Sequence, residues 1–338
     1  MFNRLYGFLA SGRRKWYAAR PEFQRRLRQP VISVGALAVG GSGKTPVAAE
    51  VASLLVSMGE SPAVLSRGYR RVDPMEGVVV VSDRGEVQAS LQQAGDEPFM
   101  LARRLRAVSV LVAEDRYLAG RLAETQLGTT VHVLDDGFQH LSLHRDIDFL
   151  VVGEADAFDS RTLPGGRLRE SPETASIADA LVVEAPNAEF ADELASRFGV
   201  QQVFYFSREL GAPRDASVQH QVEILPGTRV LAVAGIARPR SFVEHLRTSG
   251  YDVVDLIQVR DHYQYLQKDI SNIVARAKNL DVNYVITTEK DMVRLREHRP
   301  LDFSVLWVPL KVNLQPAVQF HAWLQDRLNA ARAIALSN

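Results

Sequence analysis

"VGALAVGGSGKTP", residues 34–46, decides the fold. The apolar run Val31, Ile32, Ser33 and Val34 leads into it and the helix-prone "PVAAEVASLLVSMG" follows, so the order is strand, loop, helix. Gly40, Gly41 and Gly43 let successive backbone N–H groups turn inward on phosphate oxygens, and the helix N-terminus adds its positive dipole end. A phosphate-binding loop of Ala38, Val39, Gly40, Gly41, Ser42, Gly43, Lys44 and Thr45 is therefore predicted. Lys44 would reach the β- and γ-phosphates as a point charge, and the Thr45 hydroxyl would ligate Mg²⁺ shared with them. The usual pattern opens with glycine where this chain has Ala38, which is tolerable at negative φ because further glycines follow. The plainer reading is a flexible turn before a helix.

The rest of the composition suits a nucleotide-using enzyme of two domains. A chain of 338 residues exceeds what one core usually organises, and 46% apolar residues suffice for two. The formal net charge is zero, which gives no sign of bulk polyanion binding, and the absence of cysteine excludes disulfides and thiolate metal sites. With no secretory signal and no long uncharged apolar run, the chain is expected to stay in the cytoplasm without a spanning helix.

Neutrality hides an asymmetry. Residues 1–30 carry eight Arg or Lys against one Glu, interleaved with Phe2, Leu5, Tyr6, Phe8, Leu9, Trp16, Tyr17 and Phe23. Leu5, Phe8 and Leu9 share one helical face, so the segment reads as a basic amphipathic arm for an anionic membrane surface, at about 1 kcal/mol per charge. An ordinary N-terminal helix with a solvated basic face is the competing reading. No recognition motif accompanies the arm, and no nucleic-acid partner is expected.

Beyond it, "VISV", "PAVLS", "VSVLV", "TTVHVL" and "IDFLVV" alternate with helix-length stretches, which predicts an α/β fold of the P-loop NTPase type: a parallel sheet with helices on both faces. After about residue 225 the pattern restarts with "TRVLAVAGI", a helix from Pro239 to Ser249, "YDVVDLI", "VNYVITTE" and "SVLWVPL". The expected division is the arm at 1–30, a P-loop kinase domain at 31–224 and a second, smaller α/β domain at 225–338. The less regular stretch from "VVEAPNAEF" to "GAPRDASVQHQ" is read as the join.

A P-loop needs a carboxylate at the end of a neighbouring strand. "TTVHVLDDGFQH" supplies Asp135 and Asp136, placed to face Lys44 and Thr45 and to hold Mg²⁺, although Asp-Asp-Gly is equally a good turn. His140 and His144 match no strong ligand spacing. "QAGDEPFMLARR" puts Asp96 and Glu97 before a helix, where acids also serve as caps. "VRDHYQY" puts Asp261 and His262 after a strand of the second domain. Phosphoryl transfer to a hydroxyl wants a carboxylate that takes or orients the acceptor proton, and an Asp with a His neighbour can do so. Asp96 and His262 fall in different expected domains and would have to meet.

"VGALAVGGSGKTP", "LSRGYRR", "GDEP", "LDDGFQH", "LPGGRLRE", "AGIARPRSF", "RDHYQY" and "TTEKDMVRL" are weak singly. As an ordered set over most of residues 31–295, they resemble the tetraacyldisaccharide 4'-kinase (lipid A 4'-kinase) family. That resemblance implies a peripheral enzyme at the cytoplasmic face of the inner membrane. It would move the ATP γ-phosphate to the 4'-hydroxyl of a lipid disaccharide. It also implies Asp96 as base assisted by His262, Asp135 and Asp136 near Mg²⁺, and His140 and Arg67 near phosphates or substrate. Where the family commonly has Asn and Thr in the P-loop this chain has Ala36 and Ala38, and its second His after Asp261 is Tyr263.

Around Arg67 and Tyr69, Arg70 and Arg71 suit an anionic sugar phosphate or form a solvated loop. "LPGGRLRE" is read as a lid whose Arg167, Arg169 and Glu170 approach nucleotide or acceptor on closing, or as a surface loop. The alternative function is a P-loop nucleotide switch or metallochaperone. "TTEKD" has the letters of a guanine-specificity element in the wrong order, because Lys290 abuts Asp291, which weakens a GTPase reading.

Overall fold

The computed structural model describes residues 2–215, 221–298 and 303–337, with the side chains of residues 2–5, 155, 336 and 337 outside the description. Of the predicted arm, Met1 and the side chains of Phe2, Arg4 and Leu5 thus lie outside the described residues, as do residues 216–220 of the expected join and residues 299–302 and Asn338 of the expected second domain.

In chain order the elements begin with α1 (Phe2–Ala18), β1 (Val31–Gly35), α2 (Lys44–Ser57), β2 (Pro62–Ser66), β3 (Val79–Asp83), β4 (Glu86–Val87), α3 (Leu91–Ala94) and α4 (Asp96–Arg104). Next come β5 (Ser109–Val112), α5 (Arg116–Gln126), β6 (Val131–Asp135), β7 (Ile147–Val152), β8 (Ala180–Glu184), α6 (Ala188–Phe198) and β9 (Val203–Leu210). The remainder is β10 (Arg214–Asp215), β11 (Arg229–Ala234), α7 (Pro239–Thr248), β12 (Asp252–Gln258), α8 (Gln267–Asn279), β13 (Tyr284–Thr288), α9 (Glu289–Leu295), β14 (Val305–Val308), β15 (Leu310–Gln315) and α10 (Ala317–Ser337).

The chain divides into two compact units. The first comprises Met1–Ala94, Leu101–Ser207 and Val312–Asn338, and the second Gly95–Met100 and Arg208–Lys311. The sequence reading set boundaries at 30/31 and 224/225, whereas the chain passes between units at 94/95, 100/101, 207/208 and 311/312.

A ten-stranded sheet runs in the order β15-β9-β8-β7-β1-β6-β2-β5-β3-β4. β1 is parallel to both neighbours, with Val34 opposite Asp135 of β6 and Phe149 of β7. The predicted parallel α/β sheet is therefore present, and the five runs named from sequence are β1, β2, β5, β6 and β7. Every residue of β1 is buried, as a strand covered on both faces requires. From β1 the chain crosses through α2 to β2 on the far side of β6, while β7, β8 and β9 build outward on the other side. The order reverses at β1, so the loop leaving its carboxyl end opens on the crevice where doubly wound sheets bind ligands.

The stretch expected to be irregular is instead β8, α6 and β9, and the cap signals were there to read. The Asn187 side chain accepts from the Phe190 N–H at 3.0 Å to start α6, and Gly199 ends it at φ 67°. At the other end of the chain, α10 belongs to the first unit because its aromatic residues seat on that unit's sheet. Phe320 is edge-to-face with Phe204 at 4.8 Å and stacks on Phe149 at 5.5 Å between centroids.

In the second unit the sheet order is β10-β14-β13-β11-β12. Alternation along β11 serves two layers. Leu231 and Val233 join Ile270, Ile273 and Ala277 of α8, whereas Val230, Ala232 and Ala234 join Phe242, Val243 and Leu246 of α7. The helix predicted over 239–249 is α7.

Phe320 is fully buried. Phe320→Ala should cost roughly 3–5 kcal/mol by transfer and cavity terms. Thermal unfolding followed by near-UV circular dichroism should show the melting temperature falling by on the order of 10 °C.

Candidate active site

The P-loop is assembled by backbone geometry first. Gly40, Gly41 and Gly43 have φ of 68°, 68° and 94°, the left-handed region in which glycine is at ease, and Gly43 hands over directly to Lys44 at the start of α2. Ala38 is buried and takes the place of the opening glycine. Its segment pairs with residues 167–169: the Val39 N–H donates to the Arg167 carbonyl at 2.9 Å, and the Arg169 N–H to the Leu37 carbonyl at 2.7 Å. The Arg167 guanidinium clamps the carbonyls of Val39 and Gly40 at 2.9 and 2.8 Å while pairing with Asp156 at 2.7 Å. "LPGGRLRE", read as a lid or a surface loop, is thus hydrogen-bonded at its Arg167–Arg169 end to the P-loop backbone.

Lys44 and Thr45 face the end of β6, as expected. Thr45 Oγ1 donates to the Asp135 carboxylate at 3.2 and 3.3 Å. Lys44 Nζ donates to Ser42 Oγ at 3.3 Å and lies 3.7 Å from Asp136 Oδ1. Asp136 also accepts from Arg169 Nη1 at 2.7 Å. Burial alone would push the Asp136 carboxyl up, but Lys44 and Arg169 outweigh it and hold it below the usual carboxylate range. Asp136 sits at φ 56°, a sparsely populated conformation for a residue with a Cβ. Gly35 allows the following turn to close on β1, since a Cβ there would lie 2.5 Å from Phe138 Cβ.

This carboxylate pair offers only oxygen donors, which suits Mg²⁺. Among the described residues no group of three or more His, Asp or Glu forms a ready metal cage. A cation here would be held by few protein oxygens together with phosphate, the usual arrangement for Mg²⁺.

The other first-unit residues take different places. His140 Nδ1 faces Arg116 Nη1 at 3.0 Å, and burial together with the Arg116 charge pushes its imidazole down to about 3, so it is neutral. It therefore brings no positive charge to a phosphate. Arg116, buried at the start of α5, lies in the field of Asp136 and Asp135 and is a cation that the sequence reading missed. Arg67 and Tyr69 follow β2 on an exposed loop, with the Arg70 guanidinium 5.3 Å from the Tyr69 ring centroid.

Glu170, expected to approach nucleotide or acceptor, is held by α1. Arg14 of α1 donates to it through Nε at 2.6 Å and Nη2 at 2.8 Å, with Nη2 also donating to the Phe138 carbonyl at 2.9 Å. The same guanidinium lies 4.5 Å from the Phe138 ring centroid, and Arg13 donates to the Gln139 carbonyl at 3.0 Å. Part of the arm's basic charge is thus spent inside the protein. Exposed on α1 and just beyond are Phe8 at 74%, Leu9 at 61%, Trp16 at 40% and Phe23 at 54%.

In the second unit, Asp96 and His262 do meet, and no domain movement is involved, because Gly95–Met100 clusters with residues 208–311. His262 Nδ1 lies 2.8 Å from Asp96 Oδ2, and Arg294 Nε lies 3.5 Å from the same oxygen. Burial pushes the Asp96 carboxyl up, but the His262 hydrogen bond and the charges of Arg294 and Lys290 prevail and hold it below its ordinary value. Its place at the first turn of α4 adds to that. His262, like Asp136, has a left-handed backbone, φ 61°. Tyr263, at the position of the missing second His, donates to Asp269 at 3.0 Å.

A phosphate cradle at the switch point of a parallel sheet, with lysine, threonine and a strand-end acidic pair, defines the P-loop nucleotide-binding class. Within that class, residues 1–329 match the family described as LpxK, tetraacyldisaccharide-1-P 4'-kinase, and the chain belongs to that family of kinases. It is 40% identical over 298 residues to the tetraacyldisaccharide 4'-kinase of Pelobacter propionicus, covering 87% of this chain and 81% of the relative. To that of Geobacter sulfurreducens it is 38% identical over 296 residues, covering 87% and 82%. The crystal structure of LpxK from Aquifex aeolicus in complex with ATP is similar with a TM-score of 0.77 at 31% identity, over 97% of each chain. The family resemblance read from the ordered motifs is borne out.

The Arg14–Glu170 pair is nearly buried, with side chains 12% and 4% exposed. Arg14→Ala should leave the Glu170 carboxylate buried without its counter-charge, at a cost of roughly 3–5 kcal/mol. Urea unfolding of both single variants and the double variant should show the Arg14→Ala/Glu170→Ala loss to be well below the sum of the two.

Proposed function

We propose that this protein transfers the γ-phosphate of ATP to the 4'-hydroxyl of a tetraacyldisaccharide 1-phosphate, a step of lipid A biosynthesis. The single observation that carries this reading is a complete P-loop with its strand-end carboxylates in a chain that belongs to the 4'-kinase family along nearly its whole length.

The cradle of Ala38 to Thr45 receives the phosphates. Lys44, now held by Asp136, reaches the γ-phosphate and stabilises the charge that develops on it. Thr45 and Asp135 would hold Mg²⁺, which supplies further charge neutralisation at the β- and γ-phosphates. Arg169 keeps Asp136 turned toward Lys44. Asp96, ionised at neutral pH and gripped through Oδ2, takes the acceptor proton as the new O–P bond forms and the bond to ADP breaks. Arg67 and Tyr69 on their exposed loop are suited to the anionic sugar phosphate.

The arm is the membrane-facing part of this reading. No helix among the described residues is long and apolar enough to cross a membrane. Phe8 and Leu9 instead stand in solvent on a helix that also carries the exposed Arg13 and Lys15, the pattern of a helix lying at the surface of an anionic bilayer. This supports a peripheral enzyme at the cytoplasmic face of the inner membrane, where the lipid acceptor is reached.

Turnover of ATP with and without a lipid disaccharide acceptor tests the reaction. Lys44→Ala should abolish transfer with the fold intact. Asp96→Asn should lower kcat by on the order of 10²–10⁴ with ATP affinity nearly kept, as expected for loss of a general base. If Asp96→Asn instead loses ATP binding and keeps kcat, its carboxylate is no base.

Vesicle co-sedimentation tests the arm. Because Arg14 is an internal anchor, point changes serve better than deletion. Phe8→Glu with Leu9→Glu should release the protein from anionic vesicles while ATP binding is unchanged. Binding by the unmodified protein should weaken as salt shortens the Debye length from about 10 Å at 0.1 M toward about 3 Å at 1 M. Salt-insensitive sedimentation identical for both proteins would remove the membrane role.

A further inference from the structure

Lys290 is the residue of "TTEKD" that no nucleotide-specificity role absorbs, and the second unit gives it another. It sits at the second position of α9, whose N-cap Thr288 side chain accepts from the Asp291 N–H at 3.1 Å. From there its side chain, only 15% exposed, reaches three groups at once. Nζ lies 3.0 Å from Glu97 Oε1, 3.1 Å from Asp261 Oδ1 and 3.2 Å from His262 Nε2.

Protons must be assigned consistently across this cluster. Burial favours the neutral amine, but the carboxylates of Glu97 and Asp261 more than offset it and hold Lys290 above its ordinary value, so Nζ is an ammonium. An ammonium has three donors and no acceptor. At 3.2 Å from it, Nε2 of His262 must present its lone pair. The ring proton is then on Nδ1, where it is donated to Asp96 Oδ2 at 2.8 Å. Asp261 Oδ2, at 3.9 Å from Nε2, is too far to accept a proton from it.

We infer that Lys290 is a positioning residue for the acceptor base, fixing His262 as the neutral Nδ1–H tautomer so that the ring orients Asp96 but takes no proton from it. The inference rests on the reading of Asp96 as base. Asp96 from α4, Asp261 from the loop after β12 and Lys290 from α9 face the ring, and Arg294 of α9 lies 3.5 Å from Asp96 Oδ2. With Nδ1 already carrying a proton and Nε2 occupied by the ammonium, neither ring nitrogen is open. The proton released when the acceptor O–H breaks therefore stops on Asp96 and leaves from there to solvent after the phosphorylated product and ADP depart. The pair is a carboxylate held by an imidazole, not a relay that ends on the imidazole.

The test is nitrogen NMR of the full-length protein labelled in histidine, with His262 assigned by difference against His262→Gln. In the unmodified protein at neutral pH, Nδ1 should give a protonated, pyrrole-like shift and Nε2 an unprotonated, pyridine-like one. A protonated Nε2 there, as either the other tautomer or the imidazolium, overturns the inference without any variant having to fold. Lys290→Met should abolish that single-tautomer signature and lower kcat on the order of tenfold to a hundredfold, less than loss of the base itself. Its pH profile of kcat/KM should gain an ionisation that the unmodified enzyme lacks, with KM for ATP within about twofold. Lys290→Arg, which keeps a cationic donor, should restore the tautomer. An unchanged signature and pH profile in folded Lys290→Met also overturn the inference. Full turnover by Asp96→Asn would instead sink the base reading and leave the tautomer result standing.

Discussion

Asp136 is where the first unit is tied together. One carboxylate oxygen faces Lys44 of the P-loop and accepts from Arg169 of the segment that pairs with the P-loop's opening residues. Two cations on one oxygen are stable only because that oxygen is ionised, and the same cations keep it so against the effect of burial. A strand end, a nucleotide loop and a distant segment are thereby fixed by one short side chain.

From this point the constraint spreads outward through the next few residues. The turn that follows Asp136 carries Phe138 and Gln139, whose carbonyls receive Arg14 and Arg13 of α1. Arg169 is followed by Glu170, which takes the rest of the Arg14 fork. The basic arm therefore does two physically separate things along one helix. Its Arg13 and Arg14 face is committed to the turn beside the acidic pair, while Phe8 and Leu9 project into solvent. Any force on the apolar face is applied to a helix that is anchored a few residues from Asp136.

What was legible in the sequence was what local periodicity and turn chemistry encode. Five strands, the P-loop, the strand-end aspartates and α7 all follow from runs of apolar residues punctuated by glycine, aspartate and proline. The misread stretch around α6 had its caps in plain view at Asn187 and Gly199, but its alanine-rich, acidic helix lacks the apolar density that draws attention to a core element. Pairings at long sequence separation leave no such trace. Nothing in "GRRKW" says that Arg14 meets Glu170 while Lys15 beside it stays exposed, and nothing in "GDEP" says that Gly95–Met100 clusters with the second unit. Arg116 was hidden for a related reason: a basic residue at a helix start reads as solvated until the strand-end aspartates are brought near it.

The Asp135–Asp136 pair and Asp96 differ in how their charge is opposed. Asp135 and Asp136 meet a threonine hydroxyl, the Lys44 ammonium and the Arg169 guanidinium, and under the proposed function their oxygens would exchange these partners for a metal and phosphate without leaving a buried charge alone. Asp96 instead meets the His262 imidazole by hydrogen bond and a nearly buried guanidinium at 3.5 Å. A full ion pair at close range would depress its basicity further, which bears on the role of base proposed for it. The ammonium of Lys290 stands at the far nitrogen of the ring, one imidazole away from that carboxylate, and its charge still lowers the Asp96 carboxyl from there.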